Sequence, residues 1–209
     1  VGDVQACLRD VFARWGRPER IRVDNGTPWG SIGDWPTELA LWLVGLSVEP
    51  IWNPPRQPQK NGVVERSQGV GKRWAEPPRC ASPAELQTRI DEMDQVQREQ
   101  YPRPGGSTRI ELFPALIHSG RTYEATHEGQ QWDWQRVGQH LLGYTSPRRV
   151  DSAGMISVYN RGQYVGKPYQ GRTVYVSFDA QSCEWIIRDG KGTQLRSRPA
   201  PELSSESIR

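Results

Sequence analysis

Cysteine is scarce. Cys7, Cys80 and Cys183 are far apart and odd in number, so they support no disulfide framework and read as buried or incidental thiols of a reducing compartment. Histidine is as rare. His118, His127 and His140 make no His-His-Cys-Cys pattern with the cysteines, which argues against a zinc site. No apolar run approaches the ~20 residues that a membrane span needs, and no secretory leader is visible. Charge of one sign is also missing: 27 Lys and Arg against 24 Asp and Glu leave +3, so the distribution of charge says more than its sum. Hydrophobic residues make up 35%, with a mean hydropathy of -0.75. What is plentiful is tryptophan, nine in 209 residues, which argues for packed structure or aromatic contact surfaces and against disorder. That length allows one or two domains and a sizeable core. The chain opens on Val1 rather than Met, so a fragment or a trimmed chain is expected.

Residues 3–15 place Val4, Cys7, Leu8, Val11, Phe12 and Trp15 at helical spacing. Gly16 and Pro18 stop that helix. Ile21, Arg22 and Val23 form a short strand ending at Asp24, and Asn25-Gly26 turns the chain. Taken alone, Asp-Asn-Gly is an ordinary turn. At the end of a strand in an α/β sheet it is also where sites assemble. Residues 36–45 make a short helix with Pro36 near its first turn, and Leu46 to Ile51 a second strand, expected beside the first and parallel to it. Asp34 falls between these elements, outside the place a ligand would occupy. The loop 52–62, WNPPRQPQKNG, has three prolines and a glycine and cannot be regular. It carries Arg56, Gln57, Gln59, Lys60 and Asn61. A helix follows from Val63 to about Ala75, with Val63, Val70 and Trp74 on one face and Glu65 and Lys72 together on another. Alone, that helix reads as a solvated amphipathic element.

The two stretches together, RVDNGTP in the strand-turn position and WNPPRQPQKNGVVER in the loop-helix position, resemble the catalytic core of DDE-type transposases and retroviral-type integrases, the insertion-sequence transposases in particular. Asp24 matches the second carboxylate of that family and Glu65 the third, with forty residues between them. The resemblance covers about residues 1–101 and implies the second half of a ribonuclease-H-like core whose first three strands are missing. It implies two Mg²⁺ (or Mn²⁺) ions about 4 Å apart, held by three carboxylates, that activate the nucleophile and stabilise the leaving oxygen in strand cleavage and transfer. Mg²⁺ suits hard oxygen ligands, few in number. The first Asp of the family has no match, since Asp3 and Asp10 lie in the opening helix, and the chain by itself is expected to be inactive. Lys60, Arg66, Lys72 and Arg73, with Arg56, Gln59 and Asn61 in the loop, are the expected DNA contacts of this half.

Further on, Pro77-Pro78 breaks the helix, and Ser82, Pro83 and Glu85 open the next one in a capping-box pattern that runs to about Tyr101. Residues 102–144 read as a linker with short helices at Glu111–Ile117 and Trp132–Leu142. From about Arg148 the periodicity changes to two. Ile156 and Val158 alternate with Met155, Ser157 and Tyr159, and Val174, Val176 and Phe178 alternate with polar neighbours. Asp189-Gly190-Lys191-Gly192 marks a hairpin. Five short strands over 145–198 suggest a small barrel, similar to the C-terminal β-barrel of phage Mu-type transposases through Gly154, Ile156, Tyr159, Gly166, Gly171 and Val174. This segment holds nine Lys or Arg against four acids, an excess suited to a phosphate backbone. Arg148, Arg149, Arg161, Lys167 and Arg172 are the candidates. Residues 199–209 are expected to be disordered.

The expected fold class is therefore α/β plus all-β: a partial ribonuclease-H-like integrase core, a helical linker and a C-terminal β-barrel. The expected function is part of a DDE-type transposase or integrase acting on double-stranded DNA, at transposon ends and target. Such a protein would be a bacterial, cytoplasmic, DNA-associated homo-multimer without a membrane partner. The alternatives are a non-catalytic DNA-binding or assembly module, and a ribonuclease-H-like domain with another nuclease role.

Overall fold

A computed structural model describes residues 2–30 and 35–209; Asp34 lies outside them. The fold mixes helices with several small sheets, mostly antiparallel. It comprises two compact units that do not follow chain order. One joins Glu19–Trp52 to Thr126–Arg209; the other joins Gly2–Pro18 to Asn53–Ala125. They cut across the expected consecutive segments 1–101, 102–144 and 145–198.

The first unit is built on α2 (Glu38–Gly45). Leu39, Ala40, Leu41, Trp42 and Leu43 in succession are wholly buried. A helix apolar on every side must be covered on every side. β2 (Glu49–Trp52), α7 (Trp134–Leu142) and α8 (Ser205–Ile208) all pack against it. Thr37 caps its start by accepting from the Ala40 N–H. At its end the Gly45 carbonyl accepts from the Asp133 N–H at 3.0 Å and from the Arg136 guanidinium at 3.1 Å, which satisfies an otherwise orphaned helix terminus. Trp42 donates its indole N–H to the buried carboxylate of Glu128, which precedes α7 in α6 (Glu128–Gln131), at 3.1 Å. β1 (Arg20–Val23) pairs with β2 in parallel, as expected, with Val23 opposite Trp52. Among the described residues the other edge of β1 has no strand partner.

Six strands, rather than five, occupy the C-terminal segment. β3 (Ser146–Arg149), β6 (Thr173–Asp179), β7 (Glu184–Arg188) and β8 (Gln194–Pro199) make an antiparallel sheet, and β4 (Met155–Val158) and β5 (Arg161–Tyr164) a separate hairpin. The expected alternation holds: Val174, Val176 and Phe178 are buried on β6, and Ile156 and Val158 on β4. Tyr159 is not a strand residue. It and Asn160 both have positive φ, 48° and 58°, the two-residue turn that matches strand twist. Asp189 closes the β7–β8 turn by accepting from the Lys191 and Thr193 N–H groups.

The segment 199–209 is ordered, against expectation. A 3₁₀ turn at Pro201–Leu203 and α8 bury Leu203 and Ile208, and Glu202, itself buried, accepts from the Trp185 indole at 2.6 Å. Two apolar anchors and one buried carboxylate hold a stretch whose average composition looks soluble.

The second unit is helical. α1 (Gly2–Trp15), α3 (Gly62–Ala75), α4 (Pro83–Gln95) and α5 (Arg109–Leu112) are its α-helices. Its buried apolar side chains, among the described residues, are Phe12, Ala75 and Tyr123. Phe12 meets Tyr123 edge to face. Cys7 and Val11 of the expected apolar stripe of α1 are exposed instead. α3 packs on α4 where Gly71 lets Met93 approach. Ser82 caps α4 by accepting from the Glu85 N–H, while the Glu85 carboxylate accepts from Ala81, one residue before the cap. The three cysteines are free: Cys7 and Cys183 are exposed and Cys80 half-buried, so none is a core thiol. Among the described residues no helix is long and apolar enough to cross a membrane.

Two stability predictions arise in the first unit. A Cβ on Gly45 would lie 2.1 Å from the Trp132 indole nitrogen, and Trp132 is buried. Helix propensity alone would favour Gly45→Ala by ~1 kcal/mol; overpacking costs about 1–3 kcal/mol and outweighs it. Urea unfolding should show a net loss of stability. His140, on α7, is held below its ordinary pKa of 6.5 by burial, with Glu49 pulling weakly the other way. The unfolded chain therefore takes up this proton more readily. The stability His140 contributes is complete above about pH 6.5 and is lost as the pH falls through its lower folded value. His140→Gln should flatten unfolding free energy against pH over that window.

Candidate nucleic-acid interface

The residues picked out by the sequence fall into both units. Asp24 belongs to the first, at the C-terminal end of β1, next to buried Val23. Its Oδ1 accepts from the Gly26 N–H at 2.9 Å, an Asx turn. The loop that follows is tied down at Trp29, whose carbonyl accepts from the Trp52 indole at 3.1 Å and the Thr37 hydroxyl at 3.3 Å. The carboxylate is exposed and stands on an ordered strand end.

Glu65 belongs to the second unit and sits exposed in the first turn of α3, where a negative charge suits the helix dipole. The loop ahead of it is not free chain. The Asn53 side-chain amide donates to the Asn61 side-chain oxygen, and Pro58–Asn61 form a 3₁₀ turn leading into α3. Arg56 takes φ 58°. Arg56, Gln59 and Lys60 are exposed on this loop, and Arg66, Lys72 and Arg73 on α3. Lys72 lies seven residues beyond Glu65, two turns along the same face.

Among the described residues no three of His, Cys, Asp or Glu come together. Asp24 and Glu65 suit Mg²⁺ in kind, being hard oxygen donors, but they fall short of a three-carboxylate site in number.

The apolar face of α3 is not buried. Val63 is 83% exposed and Trp74 47%. This face lines an open groove of about 920 Å³ within the second unit, with Arg66, Arg73, Tyr101, Arg103 and Arg109 around it. Gln59, Arg66 and Arg73 are thereby brought together, while Arg56, Lys60, Asn61 and Lys72 do not line it. Tyr101, Arg103 and Arg109 were not expected. PRPGGSTR has the composition of plain loop, and only the reversal after α4 brings it beside α3.

Of the basic candidates in the first unit, Arg148 and Arg161 have internal work. The Arg148 guanidinium donates to the carbonyls of Ser157 at 3.0 Å and Pro147 at 3.2 Å and to the Ser146 hydroxyl, tying β4 to β3. Arg161 stands 3.8 Å from the carboxylate of Glu202. Arg149, Lys167 and Arg172 are exposed. Arg149 pairs with Thr173 across β3 and β6, so Arg172 lies beside it at the sheet end.

No family model matches. Among solved structures, the chain is similar to a chain in the cryo-EM structure of a simian T-cell lymphotropic virus intasome in complex with the PP2A regulatory subunit B56 gamma. The sequence identity is 17% and the TM-score 0.43, over 96% of this chain and 62% of that one. This chain thus spans less than two thirds of that neighbour's length.

The Asx turn separates two roles of Asp24. Asp24→Asn keeps an oxygen for the Gly26 N–H and should leave stability within about 0.5 kcal/mol of the parent, whereas Asp24→Ala loses the acceptor and should cost about 1 kcal/mol. Paired denaturant curves check this, and they qualify the Asn variant as a clean probe of the carboxylate charge.

Proposed function

We propose that the chain is part of a DDE-type transposase or integrase that binds DNA and, in a complete core, cuts and joins its strands with the help of Mg²⁺. The observation that carries this reading is the pairing of two motifs with their places. RVDNGTP puts Asp24 at the end of a strand that runs parallel to its neighbour, and NPPRQPQKNGVVER puts Glu65 in the first turn of a helix behind a loop bearing Arg56 and Lys60. On this reading Asp24 and Glu65 are metal ligands, and a third carboxylate completes the set. The segment around Asp24 and Glu65 belongs to a ribonuclease-H-like core, and β3–β8 to a small barrel whose exposed Arg149, Lys167 and Arg172 meet DNA phosphates. Transposon ends and target are the DNA partners, and the working form is a homo-multimer.

A second reading is a non-catalytic DNA-binding or assembly module. It needs only the exposed Arg149, Lys167 and Arg172 and no carboxylate.

One pair of variants separates the two. Asp24→Asn and Glu65→Gln should leave the affinity for duplex DNA unchanged, with log K still falling linearly with log salt, since phosphate contacts set that slope. In a protein that also carries the third carboxylate, the same variants should abolish Mg²⁺-dependent strand cleavage on labelled duplex. Cleavage that persists in both variants defeats the catalytic reading. The absence of cleavage in the parent, together with intact DNA binding, favours the module.

A further inference from the structure

We infer that the groove between α3 and the 101–109 segment is a binding site for single-stranded nucleic acid, separate from the face of α3 that carries Glu65. The inference stands on the groove lining and holds whether or not Asp24 and Glu65 are catalytic.

The first observation is charge. Four arginines line the groove, Arg66 and Arg73 on α3 and Arg103 and Arg109 beyond α4, and no acidic residue does. All four are exposed. Four other arginines of this unit are matched: Arg14 with Asp91, Arg79 with Glu76, Arg89 with Glu85 and Arg98 with Asp94. Among the described residues the four groove guanidinium groups have no carboxylate partner. Four cations gathered without counter-charge repel one another and are best relieved by an anion. The guanidinium fork suits phosphate in particular.

The second observation is aromatic. Tyr101 is 58% exposed and Trp74 47%, both on the groove wall, and Val63, at 83%, also lines the groove. Leaving such rings in water forgoes a large apolar contribution. Basic side chains interleaved with open aromatic faces make a platform for unstacked bases. A duplex keeps its bases stacked inside and offers no face to Tyr101 or Trp74, so a single strand is the occupant that uses both halves of the lining. Arg66 and Arg73 are two helical turns, roughly 10 Å, apart along α3, and so meet different phosphates of one strand. Gln59 and Gln97 add amide donors and acceptors for base edges.

The third observation is position on the helix. At 100° per residue, Arg66, Val70, Arg73 and Trp74 share one side of α3, and Glu65 and Lys72 lie roughly 130° around from its centre. The groove therefore leaves the acidic face free for a second segment of nucleic acid.

The test is fluorescence anisotropy with a labelled twelve-nucleotide oligothymidylate and a duplex of equal length, using the whole chain. The single strand should bind more tightly than the duplex to this site, with a slope of log K against log salt near -2 to -3 for three or four phosphate contacts. Arg103→Ala with Arg109→Ala should weaken it at least tenfold. Tyr101→Ala should weaken it at least about fivefold and Tyr101→Phe should restore it, as stacking on a ring requires. All of these side chains are exposed, so the thermal transition should not move. Asp24→Asn and Glu65→Gln should have no effect on this affinity, which keeps the outcome distinct from that of the catalytic reading. Single-strand affinity equal to the parent in the double arginine variant overturns the proposal. So does loss of binding in Arg149→Ala with Arg172→Ala while the groove variants bind normally, because the contact would then belong to the other unit.

Discussion

The constraint on which the first unit depends is the burial of α2. Its residues are apolar in every direction, so no single sheet face or neighbouring helix can cover it. The chain meets this need from distant places: β2 immediately follows the helix, α7 arrives some ninety residues later, and α8 closes the unit at its C-terminal end. At roughly 25 cal/mol per Å², five consecutive fully buried apolar side chains outweigh any contact on the surface of this unit, such as the exposed ion pair of Arg20 with Glu49. This explains why the compact units ignore chain order. The strand pair that presents Asp24 shares a core with the C-terminal sheet because both rest on what surrounds α2.

Two buried tryptophan–carboxylate pairs, Trp42 with Glu128 and Trp185 with Glu202, add specificity to that core. An indole N–H has one proton to donate and no second way to satisfy it when buried. Placing a carboxylate opposite it fixes the register of the later segment against the earlier one. An apolar core tolerates sliding; a core with two such pairs in it is penalised for every displaced arrangement by unpaired polar groups.

Much of this was legible in the sequence, where the signal was local. The parallel strand pair, the cap at Ser82, the alternation at Val174, Val176 and Phe178, and the Asp189–Gly192 turn each depend on a few neighbouring residues. The failures have a common cause. Leu203 and Ile208 are two apolar residues in a polar tail, and α8, which carries Ile208, packs on α2 far away in the sequence. The Tyr159-Asn160 turn lacks the glycine that usually marks a type I′ hairpin, so the expected alternation ran through Tyr159 and β5 was not anticipated. The helical spacing of Cys7 and Val11 on α1 and of Val63 and Trp74 on α3 suggested buried faces. These side chains are exposed because periodicity reports which residues share a face and not what lies opposite it.

The basic groups illustrate why counting charges falls short as a guide to nucleic-acid contact. Arg148 was a candidate on composition, but its guanidinium is spent on three oxygens of its own sheet unit. Withdrawing it to meet a phosphate would leave two carbonyls and a hydroxyl to find water, and the net gain would be small. Arg103 and Arg109 stood in an unremarkable loop and give up nothing when they bind, since no carboxylate among the described residues has to be displaced. Arginines already facing one another across an open groove, beside bare aromatic rings, hold their binding free energy in reserve. The physical criterion for an interface residue is therefore the difference between what its side chain does in the free protein and what it would do on the ligand. By that criterion the 101–109 segment ranks above Arg148 and Arg161, which the sequence singled out.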